Sequence, residues 1–333
     1  FQGVIAENRY YIDAYDQLAL AWQGMGKLEE ACSILERAAK LSPNSVQRQR
    51  NLGQVCLKLG NVGMAEKAFR KCIAVGEYSV RRTPDAYLGL ARVCGLKNEP
   101  KEALAWLQAA QREFGGSNGD LHPDIDLRAK ITEGLVYHES GDYRRARKAG
   151  DELEALLGAR AERPDTATCL EMATLLFAVG VKEAPSELLC YLIRNNHDNA
   201  LLLDEVQAIF DKARLTEEGG DLIRSSKKEA ADLMNQGVLL WKTGKLKEAV
   251  DWMREARARL PNNQRILFNA AQVLVSHMRE RGHDEALALE AHEVLAHVDR
   301  LQPGQQRFAQ LMEQLAELAP KPEAPAPAVD TAA

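Results

Sequence analysis

Apolar residues recur three or four places apart for about a dozen positions, pause at a glycine, and resume at the same spacing. From Ile12, large residues stand at Tyr15, Leu18 and Trp22 with a small one at Ala19, and Gly26 follows. Leu28, Ala31, Leu35 and Ala38 continue the series, and Pro43 ends it. That spacing lays one apolar stripe on each of two successive helices. Gly closes the first helix and Pro stops the second. Alternating runs of Val, Ile and Thr are missing, so the pattern predicts helices and essentially no sheet.

The pattern repeats. "GKLEEACSILERAAKLSPN" at Gly26 to Asn44 returns as "GKLKEAVDWMREARARLPN" at Gly244 to Asn262. With Ile12 as position 1 of a 34-residue unit, large residues fall at positions 4, 7, 11 and 24 and small ones at 8, 20 and 27. Position 15 is Gly and position 32 is Pro. A second unit from Val46 repeats this with Leu52, Gly53, Cys56, Gly60, Ala65, Phe69 and Cys72. A third, from Pro84, follows an extension through Ser79-Val80-Arg81-Arg82. The series resembles the tetratricopeptide repeat family at each of its signature positions. The resemblance implies an all-α fold, a right-handed superhelix (solenoid) of antiparallel helix pairs with a C-terminal capping helix.

In that register the N-terminal sub-array spans 1–160, with clear units near 12–45, 46–78 and 84–115 and a weaker one over 127–160. In the weaker unit Glu133 stands at position 7 and Gly150 at 24. The C-terminal sub-array spans 161–318: a weak unit at 166–198, a degenerate helical pair at 199–229, a clear unit at 230–263 and an extended one at 264–304. A capping helix is expected at 305–318, because a repeat array must cover its last apolar face. The Pro/Ala-rich stretch 319–333 reads as a disordered tail.

Composition agrees with a helical chain. Of 333 residues 46% are hydrophobic but only 6% aromatic, and Ala, Leu, Glu, Lys and Arg lose little in a helix. The net charge of −5 comes from interleaved acids and bases, which is no footprint for nucleic acid. The basic run Tyr143 to Lys148 reads as a solvated helix face. No apolar stretch approaches the ~20 residues that span a bilayer, and no signal peptide is visible. Six cysteines without a C-x-x-C pair read as buried thiols in a reduced, cytoplasmic setting. The chain does not begin with Met, so it reads as part of a longer protein; Phe1-Gln2-Gly3 is native sequence or a tag remnant.

The residues for chemistry are not grouped for it, so no enzyme, cofactor or metal is expected. His292-Glu293 with His297 has a spacing of five rather than four, which turns the second ring by roughly 140°. The glycine-rich Phe114 to Gly119 lacks the strand and the Lys-Ser/Thr of a phosphate cradle.

The family resemblance places the binding groove on the first helix of each pair, at positions 2, 5, 6, 9, 12 and 13. Those positions include Arg50, Asn51, Gln54 and Lys58 in the second unit and Arg92 in the third. In the later units they include Met234, Asn235, Trp241, Lys242, Phe268, Asn269 and Gln272. Asn recurs at position 6 as Asn51, Asn235 and Asn269, and an amide can both donate to and accept from a peptide backbone. Trp241 is the expected anchor. The clamp by which one subclass grips chaperone C-termini is disfavoured, because Asp16, Leu20, Asp85 and Gly89 occupy its positions and only Asn51 matches.

Phrases such as "YYIDAYDQLA", "LSPNSVQRQRNLG", "TPDAYLGLARV", "IRNNHDN" and "PNNQRILFNAAQVLV" are similar to the C-terminal part of bacterial response-regulator proteins. That similarity implies a receiver domain in cis, outside this sequence, and a role in two-component signalling. The expected function is a non-enzymatic scaffold for a protein or peptide partner. A structural assembly or secretion-apparatus subunit that self-associates is the alternative.

Overall fold

A computed structural model describes residues 1–79, 82–115, 124–159 and 163–318. Expectations for Val80-Arg81, for the glycine-rich stretch 116–119 and for the tail after Leu318 therefore lie outside the described residues. Within them there are seventeen α-helices and no strand, an all-α solenoid of helical repeats. No described helix is long and apolar enough to cross a membrane.

Two compact units divide at Leu189/Cys190. In the first, α1 (Gln2–Glu7) precedes four helix pairs: α2 (Ile12–Gly24) with α3 (Leu28–Leu41), α4 (Val46–Lys58) with α5 (Val62–Gly76), α6 (Asp85–Leu96) with α7 (Pro100–Phe114), and α8 (Ile125–Glu139) with α9 (Tyr143–Gly158). Next come α10 (Thr166–Ala178) and α11 (Glu183–Asn195), and the division falls inside α11. The pattern of residues suggests a division at 160/161 instead. α10 packs back on α8 and α9.

The same glycine joint recurs at Gly26, Gly60, Gly141, Gly180 and Gly244, with Asn98 in that place between α6 and α7. Gly26 has a left-handed backbone, φ 70°, and Gly244 has φ 75°, a conformation that costs Gly nothing. Two bonds close each turn: Lys27 N–H to Trp22 O at 2.9 Å and Gly26 N–H to Gln23 O at 3.0 Å, with Lys245 N–H to Leu240 O at 3.0 Å in the later copy. Ala31, Ala65, Ala103, Ala146 and Ala249, all at position 20, are completely buried.

Position 8 is small because position 24 occupies its space. A Cβ on Gly53 would lie 2.5 Å from the Phe69 ring, and one on Gly237 2.4 Å from the Met253 methyl. The same rule explains the weak unit. Gly150 stands where a large residue is expected, and Leu175 of α10 and Val179 just after that helix fill the space: a Cβ on Gly134 would meet Leu175 at 2.5 Å, and one on Gly150 would meet Val179 at 2.9 Å.

In the second unit, α12 (Ala200–Lys212) is followed by α13 (Thr216–Lys242), α14 (Leu246–Arg259), α15 (Gln264–Arg281), α16 (Glu285–Leu301) and α17 (Gln306–Leu318). Here the sequence reading needs correction. A helical pair ending at 229 and a new unit at 230 imply a break, but α13 runs unbroken for 27 residues. The stretch Ser225-Ser226-Lys227-Lys228-Glu229-Ala230-Ala231 contains no Gly or Pro to interrupt it. Its first half packs on α11, with Cys190 Sγ 3.2 Å from Ser226 Oγ and Arg194 paired to Glu229 at 2.7 Å. Its second half packs on α14, where the Trp252 indole N–H donates to Leu233 O at 2.8 Å.

Two asparagine-rich turns interlock in this unit. Asn262 N–H donates to Asn195 Oδ1 at 2.9 Å, and Asn263 Nδ2 donates to Arg194 O at 2.9 Å. Asn263 Nδ2 also lies 3.1 Å from His197 Nδ1, and His297 Nε2 lies 2.9 Å from Asn262 Oδ1. Asn195, His197 and Asn263 are buried. Burial lowers the pKa of both imidazoles; Asp198 opposes this at His197, while Arg300 adds to it at His297.

Candidate functional site

The first helices of the pairs line one face of each unit. On the first unit that face is charged, and most of its charges are paired. Arg48 of α4 reaches Asp16 of α2 at 2.7 Å and Asp13 at 3.4 Å. Asp85 of α6 takes Arg50 on one oxygen at 3.4 Å and Arg128 of α8 on the other at 2.6 Å. Arg92 of α6 binds Glu139 of α8 at 2.6 Å, although Arg92 Nε and Glu139 Oε2 keep no partner. Apart from the exposed Asp13, these side chains are half-buried, so each of the other pairs is worth more than its surface counterpart and also costs desolvation. Glu171 of α10 keeps surface open to solvent, yet the protein around its carboxyl raises its pKa by desolvation, against the lowering pull of Arg128 and Arg92.

Arg50, Asn51 and Arg92 are engaged within this face. Arg50 donates to Asn51 Oδ1 at 3.3 Å as well as to Asp85, and Arg92 is held by Glu139. Gln54 and Lys58 are exposed.

In the second unit the face formed by α13, α15 and α17 is different. Asn235 and Lys242 are exposed on α13, and Gln272 is half-buried on α15. Met234 packs, with Trp252, on the core of Ala230, Leu233 and Ala256. Trp241 is half-buried and packs, beside Val238 and Leu240, on the core that holds Met253, Leu274, Val275 and Met278. Phe268 is not an open groove residue: it is 4% exposed and belongs to the core with Leu267, Ala271, Leu295 and Leu311. The cause is α17, which lies over α15 and α16. Its Arg307 guanidinium sits 5.1 Å above the Phe268 ring and donates to Asn269 Oδ1 at 3.0 Å. A cleft of about 420 Å³ opens there, lined by Gln272, Gln306, Arg307, Gln310, Leu311 and Gln314.

The structure therefore brings Phe268, Asn269 and Gln272 together around α17 and leaves Asn235, Trp241 and Lys242 on α13. The glutamines of α17 and Arg307 are not anticipated, since α17 reads only as a cap. The four-residue spacing of Gln306, Gln310 and Gln314 is the signal that marks them as one helix face.

The six cysteines are free, and all but Cys190 are buried. Cys32 and Cys56 Sγ lie 2.8 Å apart as a hydrogen-bonded pair of thiols. Cys94, Glu99 and Glu102 bring potential ligand atoms within 4.8 Å of one another. Burial pushes the Cys94 thiol up to about 11, which opposes the thiolate that a metal needs.

The tetratricopeptide repeat family model matches residues 12–45 and 51–75. No curated protein matches the sequence. Among solved structures, YrrB, described as a TPR protein with an unusual peptide-binding site, is 19% identical; the match covers 61% of this chain and 96% of YrrB, with a TM-score of 0.35. PilF of Pseudomonas aeruginosa is 16% identical over 91% of this chain and 97% of its own, TM-score 0.34. PilW, a type IV pilus biogenesis factor, is 12% identical over 90% and 98%, TM-score 0.35. Similarities at this level carry no argument about what this chain binds. The chain carries tetratricopeptide repeats at 12–45 and 51–75, and helix pairs with the same glycine joint recur further along it.

Proposed function

We propose that the chain is a protein-binding scaffold that holds an extended peptide segment of its partner against the α13–α15–α17 face. The observation that carries this reading is the cleft of about 420 Å³ in which Gln272 meets the glutamines of α17. Side-chain amides offer both a donor and an acceptor, which suits a peptide backbone of any sequence. Asn235 and Lys242 extend the polar surface along α13. The first unit supports the reading by contrast, because its groove arginines Arg48, Arg50, Arg92 and Arg128 are already paired with acids.

The test is selection from a phage-displayed library of random dodecapeptides against the whole chain. Enriched peptides are expected to lose binding to the Gln272→Ala/Gln310→Ala variant and to keep it to Gln54→Ala. Peptides that bind the double variant unchanged, or a library that yields none, sink the groove.

The wider part of the proposal is that this array is the cytoplasmic output portion of a two-component signalling protein, with a receiver domain in cis. Its support is the quoted response-regulator phrases. The N-terminal sequence of the full-length gene tests it, and the absence of a receiver there overturns it.

A further inference from the structure

Within the α15–α17 cleft one group is not explained by the fold. Arg307 is the only charged side chain among the lining residues. Among the described residues no carboxylate pairs with it; its interactions are Asn269 Oδ1 and the Phe268 ring. In the first unit Arg48, Arg50, Arg92 and Arg128, which reach from one first helix to the next, each end on an acid. The surroundings lower the pKa of Arg307 through desolvation alone, with no anion to oppose it. It also lies in the first turn of α17, where the helix dipole disfavours a cation. Stability of the isolated chain thus gives little reason for a guanidinium here.

Its geometry suits a ligand. The Phe268 ring and Asn269 fix the guanidinium while engaging one terminal nitrogen, and the remaining N–H donors keep the planar fork that matches a carboxylate. The group stays accessible from solvent. Amides flank it on both sides along α17, Gln306 before it and Gln310 and Gln314 after it. Gln314 Oε1 is buried without a partner, an acceptor waiting for a donor. Seven residues of helix separate Arg307 from Gln314, about 10 Å at 1.5 Å per residue. An extended peptide covers that distance in about three residues.

We propose that this cleft is a carboxylate-binding site, in which Arg307 takes an acidic side chain within an extended peptide whose backbone is held by the flanking glutamines. The amides on both sides favour an internal Asp or Glu over a chain terminus. The inference rests on the peptide-groove reading above and adds the chemistry of its specificity.

The test uses the full chain and three probes: the tripeptides Ac-Ala-Glu-Ala-NH2 and Ac-Ala-Gln-Ala-NH2, and Ac-Ala-Ala-Ala with a free C-terminus. Each is titrated while the arginine Nε–Hε NMR signals are followed, the Arg307 signal being identified by its loss in Arg307→Gln. The Glu peptide is expected to shift that signal saturably, with roughly tenfold tighter binding than the Gln peptide. Arg307→Gln should erase the tenfold preference, and Arg307→Lys, which keeps the charge but not the fork, should retain part of it. An equal response to the Glu and Gln peptides overturns the proposal, as does a response confined to the free C-terminus. If the Glu and Gln peptides bind equally and Gln272→Ala weakens both, the groove stands and the carboxylate site falls. If selected dodecapeptides ignore the groove variants, the groove reading falls, and the Arg307 titration still decides the carboxylate site by itself.

Discussion

The first-helix faces of the two units are built on the same helix pairs and carry different side chains. In the first unit, arginines at Arg48, Arg50, Arg92 and Arg128 cross from one helix to the next and end on Asp16, Asp85 and Glu139. In the second, the corresponding face offers Asn235, Lys242, Gln272 and the glutamines of α17, with one arginine that pairs with no acid among the described residues. A face whose charges are paired internally must break those pairs to hold a ligand, whereas a face of amides has little to break. One unit is braced and the other is open, on the same helical joint.

The largest expected effect sharpens the bracing. The Phe69 ring fills the space above both Gly53 and Gly89, whereas Met253 is set against Gly237. Phe69→Ala should cost about 3–5 kcal/mol, with Met253→Ala toward the lower end of about 2–5 kcal/mol. Denaturant unfolding of both variants checks this, and a larger loss from Met253→Ala contradicts the contrast. Next is Asp85→Ala, which strands two half-buried arginines and should cost about 1–3 kcal/mol of unfolding stability. A negligible change would show that the charge ladder braces nothing.

Acid should weaken the second unit through its histidines. The His197 and His297 pKa values are depressed in the folded second unit by burial, with the Arg265 and Lys227 charges adding to this against Asp198 at His197, and the Arg300 charge adding to it at His297. Their contribution is fully present above the unfolded imidazole value, near 6.5, and is lost as pH falls below it. In the first unit the pKa of Glu171 is raised while those of Glu66 and Glu152 are lowered, so its carboxylates set no single direction. Hydrogen exchange at pH 7.5 and 5.5 should show amides of the second unit losing protection first. The double variant His197→Gln/His297→Gln should flatten that response. Smallest in stability is Gln272→Ala, within about 0.5 kcal/mol of the parent, while its effect on selected peptides is a measurable loss of affinity.

Much of the fold is legible because its joint is local. Gly26, Ala31, Leu35 and Pro43 act within one unit, so their spacing reports the helix pair directly. The continuity of α13 is also local, though it lies in the absence of a breaker at 225–231, which a register-led reading passes over. The face residues were legible only as positions. Asp85 binds arginines 35 residues before it and 43 after it, and no periodicity says which charges will pair. Phe268 shows the same limit, since its place at a groove position is correct in register and its exposure is removed by a helix that begins 38 residues further along.

By itself, then, the sequence determined the helices, the joint between them and the need for a final cap, because each depends on neighbours within about ten residues. Tertiary structure alone decided that Leu175 would complete the unit with Gly134. It decided that Asn262 and Asn263 would lock onto Asn195 and His197. It also decided that α17 would turn a cap into the wall of a cleft. Those outcomes depend on which side chains meet across tens of residues, where packing and desolvation, not spacing, choose the partner.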